Sequence, residues 1–161
     1  MIPHGVDIAD LSAQLEDDRL AFGPHAEFAR QQEPQLEQAV ATVNNIDDGQ
    51  TVGVALVDVY VDKAADLRDL AQELQRETEL DTVIVRTPHG GSAVSEHFSR
   101  ANLEAAETAF KDAPIDVGVV NYVNELSQPL VSWPIVAALA AIVILSTLTI
   151  SWILVTKSLR N

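Results

Sequence analysis

Apolar positions in the first fifty residues recur at helical spacing. Ile8, Leu11 and Leu15 share one face of an amphipathic helix from Asp7 to Leu20, with Glu16, Asp17 and Asp18 on the other. Gly23-Pro24 breaks it, His25 to Arg30 makes a brief helical turn, and Glu33-Pro34 opens a clearer helix with Leu36, Val40 and Val43 on its buried stripe. Asn44 to Gly49 closes that helix in a polar turn. From Thr51 the pattern changes. Val52, Val54, Leu56, Val57 and Val59 make Thr51 to Tyr60 a nearly continuous apolar strand, the kind covered on both faces. Asp62 is the expected N-cap of a helix to about Glu79, which turns Leu67, Leu70 and Leu74 inward. Asp81 to Arg86 is a second strand, and strand, helix and strand together predict a right-handed parallel βαβ unit.

The next stretch, Thr87 to Ala93, reads as a strand-to-helix loop. Ser92 or Ser95 would cap a helix carrying Val94, Phe98, Ala105 and Phe110 and ending near Lys111. Ile115 to Leu126 is ambiguous. Val119, Val123 and Leu126 keep helical spacing, Ile115, Val117 and Val119 alternate, and the expectation is a helix with Asp116 in its cap.

Pro134 to Thr156 then holds twenty-three residues without a charge. As a helix it would be roughly 34 Å long, enough to cross a hydrocarbon core of about 30 Å. Trp133 and Trp152 suit the two interfaces, Pro134 suits a first turn, and Lys157 ends the run, so these four are read as the anchor. Ala137, Ala141, Thr147 and Ser151 repeat a small-xxx-small spacing that would let another helix approach. The same hydroxyls can instead bond their own helix backbone. The expected plan is a helical segment at 1–50, an α/β domain with a small parallel βαβ core at 51–126, a linker at 127–133, one transmembrane helix at 134–156 and a basic tail at 157–161.

Charge narrows the partners. All 24 acidic residues precede Trp133 with eight of the ten basic ones, so that part carries −16 and the tail +2. Nucleic acid and anionic lipid surfaces would repel such a domain. The absence of cysteine excludes thiol chemistry, disulfides and Cys-based zinc sites. The N-terminus shows neither a basic n-region nor an apolar h-region. Two tail cations favour an exported domain by the positive-inside rule, while the missing signal pattern favours a cytoplasmic one; the expectation leans to the latter.

The candidate ligand loop is His89, Gly90, Gly91 and Ser92, because parallel sheets bind anions where a strand ends and a helix begins. It lacks the lysine of a P-loop and the spacing of a dinucleotide fingerprint, and an ordinary turn whose glycines supply positive φ is the favoured explanation. Arg86 and Arg100 would add positive charge nearby. His89 and His97, with Asp58 or Glu96, are eight residues apart and do not fit a helical metal pair. Asp58 and Asp62 are read as a solvated strand end and a helix cap. No metal, cofactor or nucleophile elbow is expected, and the chain is read as non-enzymatic.

Leu67-Arg68-Asp69-Leu70-Ala71, Thr82 to Arg86, Phe98-Ser99-Arg100-Ala101-Asn102-Leu103-Glu104-Ala105, Asn121 to Leu126 and Trp133-Pro134 carry a resemblance. In these stretches the chain resembles a family of small actinobacterial tail-anchored membrane proteins encoded beside NlpC/P60 cell-wall hydrolases, and more distantly the TPM domain. The resemblance implies a membrane location and a compact α/β module, with other membrane or envelope proteins as partners. It departs from TPM proteins in lacking their signal peptide. The alternatives are an accessory subunit of a respiratory membrane complex and a TPM-like ligand-binding or hydrolytic domain.

Overall fold

Val52, Val54 and Leu56 of strand β2 (Val52–Leu56) point into one apolar cluster, and Ala55 and the following Val57 point into another. That two-residue alternation puts a core on both sides of the sheet. The computed structural model describes residues 2–45, 50–61, 63–110, 113–126 and 137–147. The chain divides into two compact units, Met1–Gln128 and Pro129–Asn161.

In the first unit α1 (Ile8–Asp18), β1 (Leu20–Phe22), α2 (Glu27–Arg30) and α3 (Glu33–Asn44) precede β2. After it come α4 (Ala64–Thr78), β3 (Thr82–Thr87), β4 (Gly90–Ser95), α5 (Arg100–Ala106), a 3-10 turn (Glu107–Phe110) and α6 (Ile115–Leu126). The sheet order is β1-β2-β3-β4, parallel through β3 and antiparallel at β4. Helices α1 and α4 bury Leu11, Leu15, Leu67, Leu70 and Leu74 on one face. Helices α3 and α6 bury Leu36, Val40, Tyr122 and Val123 on the other. The fold is α/β with a parallel βαβ core, as the pattern predicts, and 115–126 is helical. The two parallel crossovers pass over opposite faces while the strands advance in one direction, so they differ in hand. The right-handed rule holds for at most one of them.

Local chemistry sets several boundaries. Asp7 caps α1 by accepting from the Asp10 N–H at 3.2 Å, and Arg19, with φ 65°, ends it and returns its N–H to Leu15 O. The expected helix to Leu20 is therefore shorter, and Leu20 to Phe22 form an edge strand instead. Asn44 joins α3 to β2: its amide donates to Val40 O and Val52 O, and its oxygen accepts the Val52 N–H. The β2 strand ends at Leu56 rather than Tyr60. Lys63 occupies the N-cap position of α4 without a side-chain cap bond, and Asp62 lies outside the described residues.

Two expectations fail on β4. Residues 90–95 are a strand, not a loop and helix start. The helix expected from Ser92 or Ser95 begins at Arg100, where Ser99 is the N-cap and accepts from Asn102 N–H. Thr87 pairs with Gly90, so Pro88 and His89 form a tight hairpin turn and β4 folds back along β3.

In the second unit residues 137–147 are helical and exposed throughout, with Leu139, Ile142, Val143, Ile144 and Leu145 each 58–62 % accessible. Eleven residues reach only about 16 Å. Among the described residues no helix is long and apolar enough to cross a membrane, and the rest of the expected span 134–156 lies outside the described residues. The anchor residues Trp133, Pro134, Trp152 and Lys157, and Ser151, lie outside the described residues. On the described helix Thr147 and Ser146 donate to Ile144 O and Val143 O, the backbone role weighed against helix association.

Candidate functional site

The hairpin dismantles the expected anion loop. His89 is exposed on the turn, its N–H 3.3 Å from Thr87 Oγ1, and the Thr87 hydroxyl donates to Gly90 O at 3.0 Å. No helix starts there, so no set of free N–H groups faces a ligand. Ser92 is buried and donates to Glu107 Oε1 at 3.1 Å. Gly91 is required by packing: a Cβ would stand 2.8 Å from Val85 O and 3.1 Å from the Phe110 ring. The four residues are thus part of the β3–β4 ladder and its turn.

Arg86 carries the packing of this region. It is 3 % exposed and shares its face of β3 with Ile84. Its Nη1 donates to Thr87 O and Gly90 O at 2.7 Å each, and Nη2 to Phe110 O at 2.7 Å. The guanidinium lies 5.1 Å from the Phe110 ring centroid, and that ring stacks on Tyr122 at 4.4 Å. Three carbonyl dipoles and the Phe110 ring face replace a counter-ion. Burial alone pulls the guanidinium below its ordinary range, though an arginine keeps its proton throughout the physiological range. Burial, with Glu107 second, pushes the Tyr122 hydroxyl far up, so it stays neutral.

A second cluster sits at the opposite, amino end of β2 and β3. Asp81 Oδ2 accepts the Thr51 N–H at 2.7 Å and the Thr51 hydroxyl at 2.8 Å, and Oδ1 stands 3.1 Å from His97 Nε2. The backbone bond from Thr51 is the first cause, its hydroxyl the second, and His97 a smaller one, of an Asp81 carboxyl held below the usual range; burial opposes them. Because the folded value is depressed, the carboxylate stabilises the fold above the unfolded value of about 3.9 and loses that effect as pH falls through the folded value. Asp81→Asn is expected to lower stability at neutral pH and to flatten the acid decline below about pH 4. Urea midpoints across that range check this, and parallel curves for the two proteins would sink it.

His97 pairs with Asp81, His89 is on the far turn and Asp58 is exposed in the loop after β2, so the structure does not bring these side chains together. Among the described residues no group of three His, Asp or Glu side chains is placed to hold a metal. Sequence spacing gave no sign of the Arg86 or Asp81 clusters, because their partners are 24 and 30 residues away.

The hollow nearest the expected site is a slot of about 150 Å3 bordered by Ser92 to Ser95 of β4, Arg68 of α4 and α5 residues that include Arg100 and Leu103. Arg100 Nε donates to Glu104 Oε1 at 2.5 Å on its rim. Arg68 and Arg100 are two of the eight cations of a strongly acidic domain.

A family model described as Membrane protein Rv1476 matches residues 1–161. The chain belongs to that family. No curated protein and no solved structure matches it. Family membership makes this a membrane protein and carries no activity with it. The exposed apolar helix at 137–147 is the described part that suits such a location.

Proposed function

We propose that this is a single-pass, tail-anchored membrane protein whose acidic α/β domain serves as a non-enzymatic accessory module, binding another membrane or envelope protein at the bilayer surface. The observation that supports it most is the helix at 137–147, where five large aliphatic side chains are more than half exposed. Contiguous apolar surface on that scale needs lipid or another helix to cover it. The resemblance to proteins encoded beside NlpC/P60 hydrolases makes cell-wall remodelling the setting of this proposal, and the TPM likeness supplies a precedent for an α/β module on membrane-linked proteins. Acidity supports a partner with a basic surface.

Membrane extraction tests the anchor. The full chain is expected to stay in the membrane pellet through an alkaline carbonate wash and to leave it only in detergent; release by carbonate would refute the anchor. Side of the membrane follows from a single cysteine, since the chain has none. Ser12 is buried on α1, whereas its neighbour Ala13 is exposed, so Ala13→Cys is the site for an impermeant maleimide. Labelling only after lysis is expected for a cytoplasmic domain, and labelling of intact cells would put the domain outside.

A further inference from the structure

Helices α3 and α6 lie side by side over one face of the sheet and leave an open groove of about 330 Å3 between them. Gln35, Gln38 and Thr42 form one wall at i, i+3 and i+7, and Asp116, Val117 and Val120 form the other. The groove therefore follows about two turns of helix, roughly 10 Å. Its apolar part is accessible, since Val117 is 43 % exposed and Val120 half-buried. The side-chain amides of Gln35, Gln38 and Asn121 border it and make no hydrogen bond among the described residues. Charge in the groove has one sign. Asp116 is the only ionisable residue bordering it, and α3 and α6 together carry Glu33, Glu37, Asp116 and Glu125 and no basic residue. Arg19 meets α3 on its other flank, where it donates to Asn44 beside Glu37 and Ala41.

We propose that this groove docks an amphipathic helix of a partner protein, which rests apolar side chains on Val117 and Val120 and sets a Lys or Arg against Asp116. Two helical ridges with a furrow between them are shaped for a third helix, held by anchors at i, i+3 or i+4, and i+7. A cationic side chain is the complement of a lone carboxylate in a domain carrying −16. A second copy of this chain is the poorer occupant, because two such units repel and its own α3 and α6 bring only carboxylates. The inference deepens the reading of the protein as an interaction module and rests on it.

The test pans a displayed library of helical peptides against the full chain in micelles of a neutral detergent, with empty micelles as the counter-selection. Enriched peptides are then measured by fluorescence anisotropy. Sequences with apolar residues at helical spacing and a flanking Lys or Arg are expected. Val117→Lys, at an exposed position, puts an ammonium in the groove and is expected to weaken binding by about tenfold or more, with far-UV circular dichroism unchanged. Asp116→Asn is expected to weaken it by about fivefold and keeps the test decisive should Val117→Lys fail to fold. Glu77→Gln removes the same charge from an exposed position of α4, on the other face of the sheet, and is expected to leave binding within about twofold of wild type. Equal weakening by Asp116→Asn and Glu77→Gln would mean that net charge alone draws the peptide, and would overturn the groove. So would peptides that bind Val117→Lys and Asp116→Asn as tightly as wild type, or no enrichment at all. Enrichment of acidic or uncharged peptides would overturn the proposed occupant, and so would self-association that Val117→Lys abolishes without peptide binding. Carbonate release with intact, groove-dependent peptide binding would instead count against the membrane reading alone.

Discussion

Arg86→Ala is expected to lower the unfolding free energy of the α/β unit by about 4 kcal/mol, a large share of the 5–15 kcal/mol typical of a domain. The side chain donates to Thr87 O, Gly90 O and Phe110 O together; Gly90 O keeps the Thr87 hydroxyl, so the loss falls most heavily on the buried Phe110 carbonyl. It also removes the guanidinium that covers the Phe110 ring, adding a packing loss to the polar one. Arg86→Lys separates these effects. An ammonium keeps the charge and most of the stem but cannot fork between Thr87 O and Phe110 O, so an intermediate loss of about 2 kcal/mol is expected. Urea unfolding of the full chain in micelles, followed by far-UV circular dichroism, measures both. A midpoint for Arg86→Ala equal to that of wild type would remove Arg86 from the centre of this packing.

Gly91→Ala is expected to cost about 2 kcal/mol, while Gly90→Ala next to it changes stability by less than about 0.5 kcal/mol. At Gly91 the added methyl meets Val85 O at 2.8 Å, and a strand carbonyl cannot retreat without disturbing the β3–β4 ladder. The Phe110 ring at 3.1 Å cannot retreat either, being held between Arg86 and Tyr122. At Gly90 nothing lies within 4 Å of the added atom. Gly91 is therefore no probe of ligand binding, since its substitution damages packing whether or not a ligand exists. Equal urea midpoints for the two variants would contradict this account.

The elements that local patterning controls were legible. Helix α3, helix α4, strands β2 and β3 and helix α6 follow from runs whose period decides which face is buried, and burial of that face is the largest local contribution to their stability. Strands β1 and β4 were not legible. Leu20 to Phe22 is too short to show a period, and Gly90-Gly91-Ser92 reads as a turn because its residues carry little strand preference of their own. Each becomes a strand only because a neighbour offers a ladder: β2 for the first, β3 for the second.

The same division holds for the candidate sites. By itself the sequence determined the acidic domain, the uncharged run from Pro134, the absence of thiol chemistry and the parallel α/β core. Tertiary structure decided that Arg86 is buried on carbonyl oxygens, that His97 belongs to Asp81, and that His89 to Ser92 belongs to the β3–β4 hairpin. The reason is physical. Helical and strand periods are set within a few residues, whereas a buried cation, a shared carboxylate and a strand ladder exist only once separate segments meet.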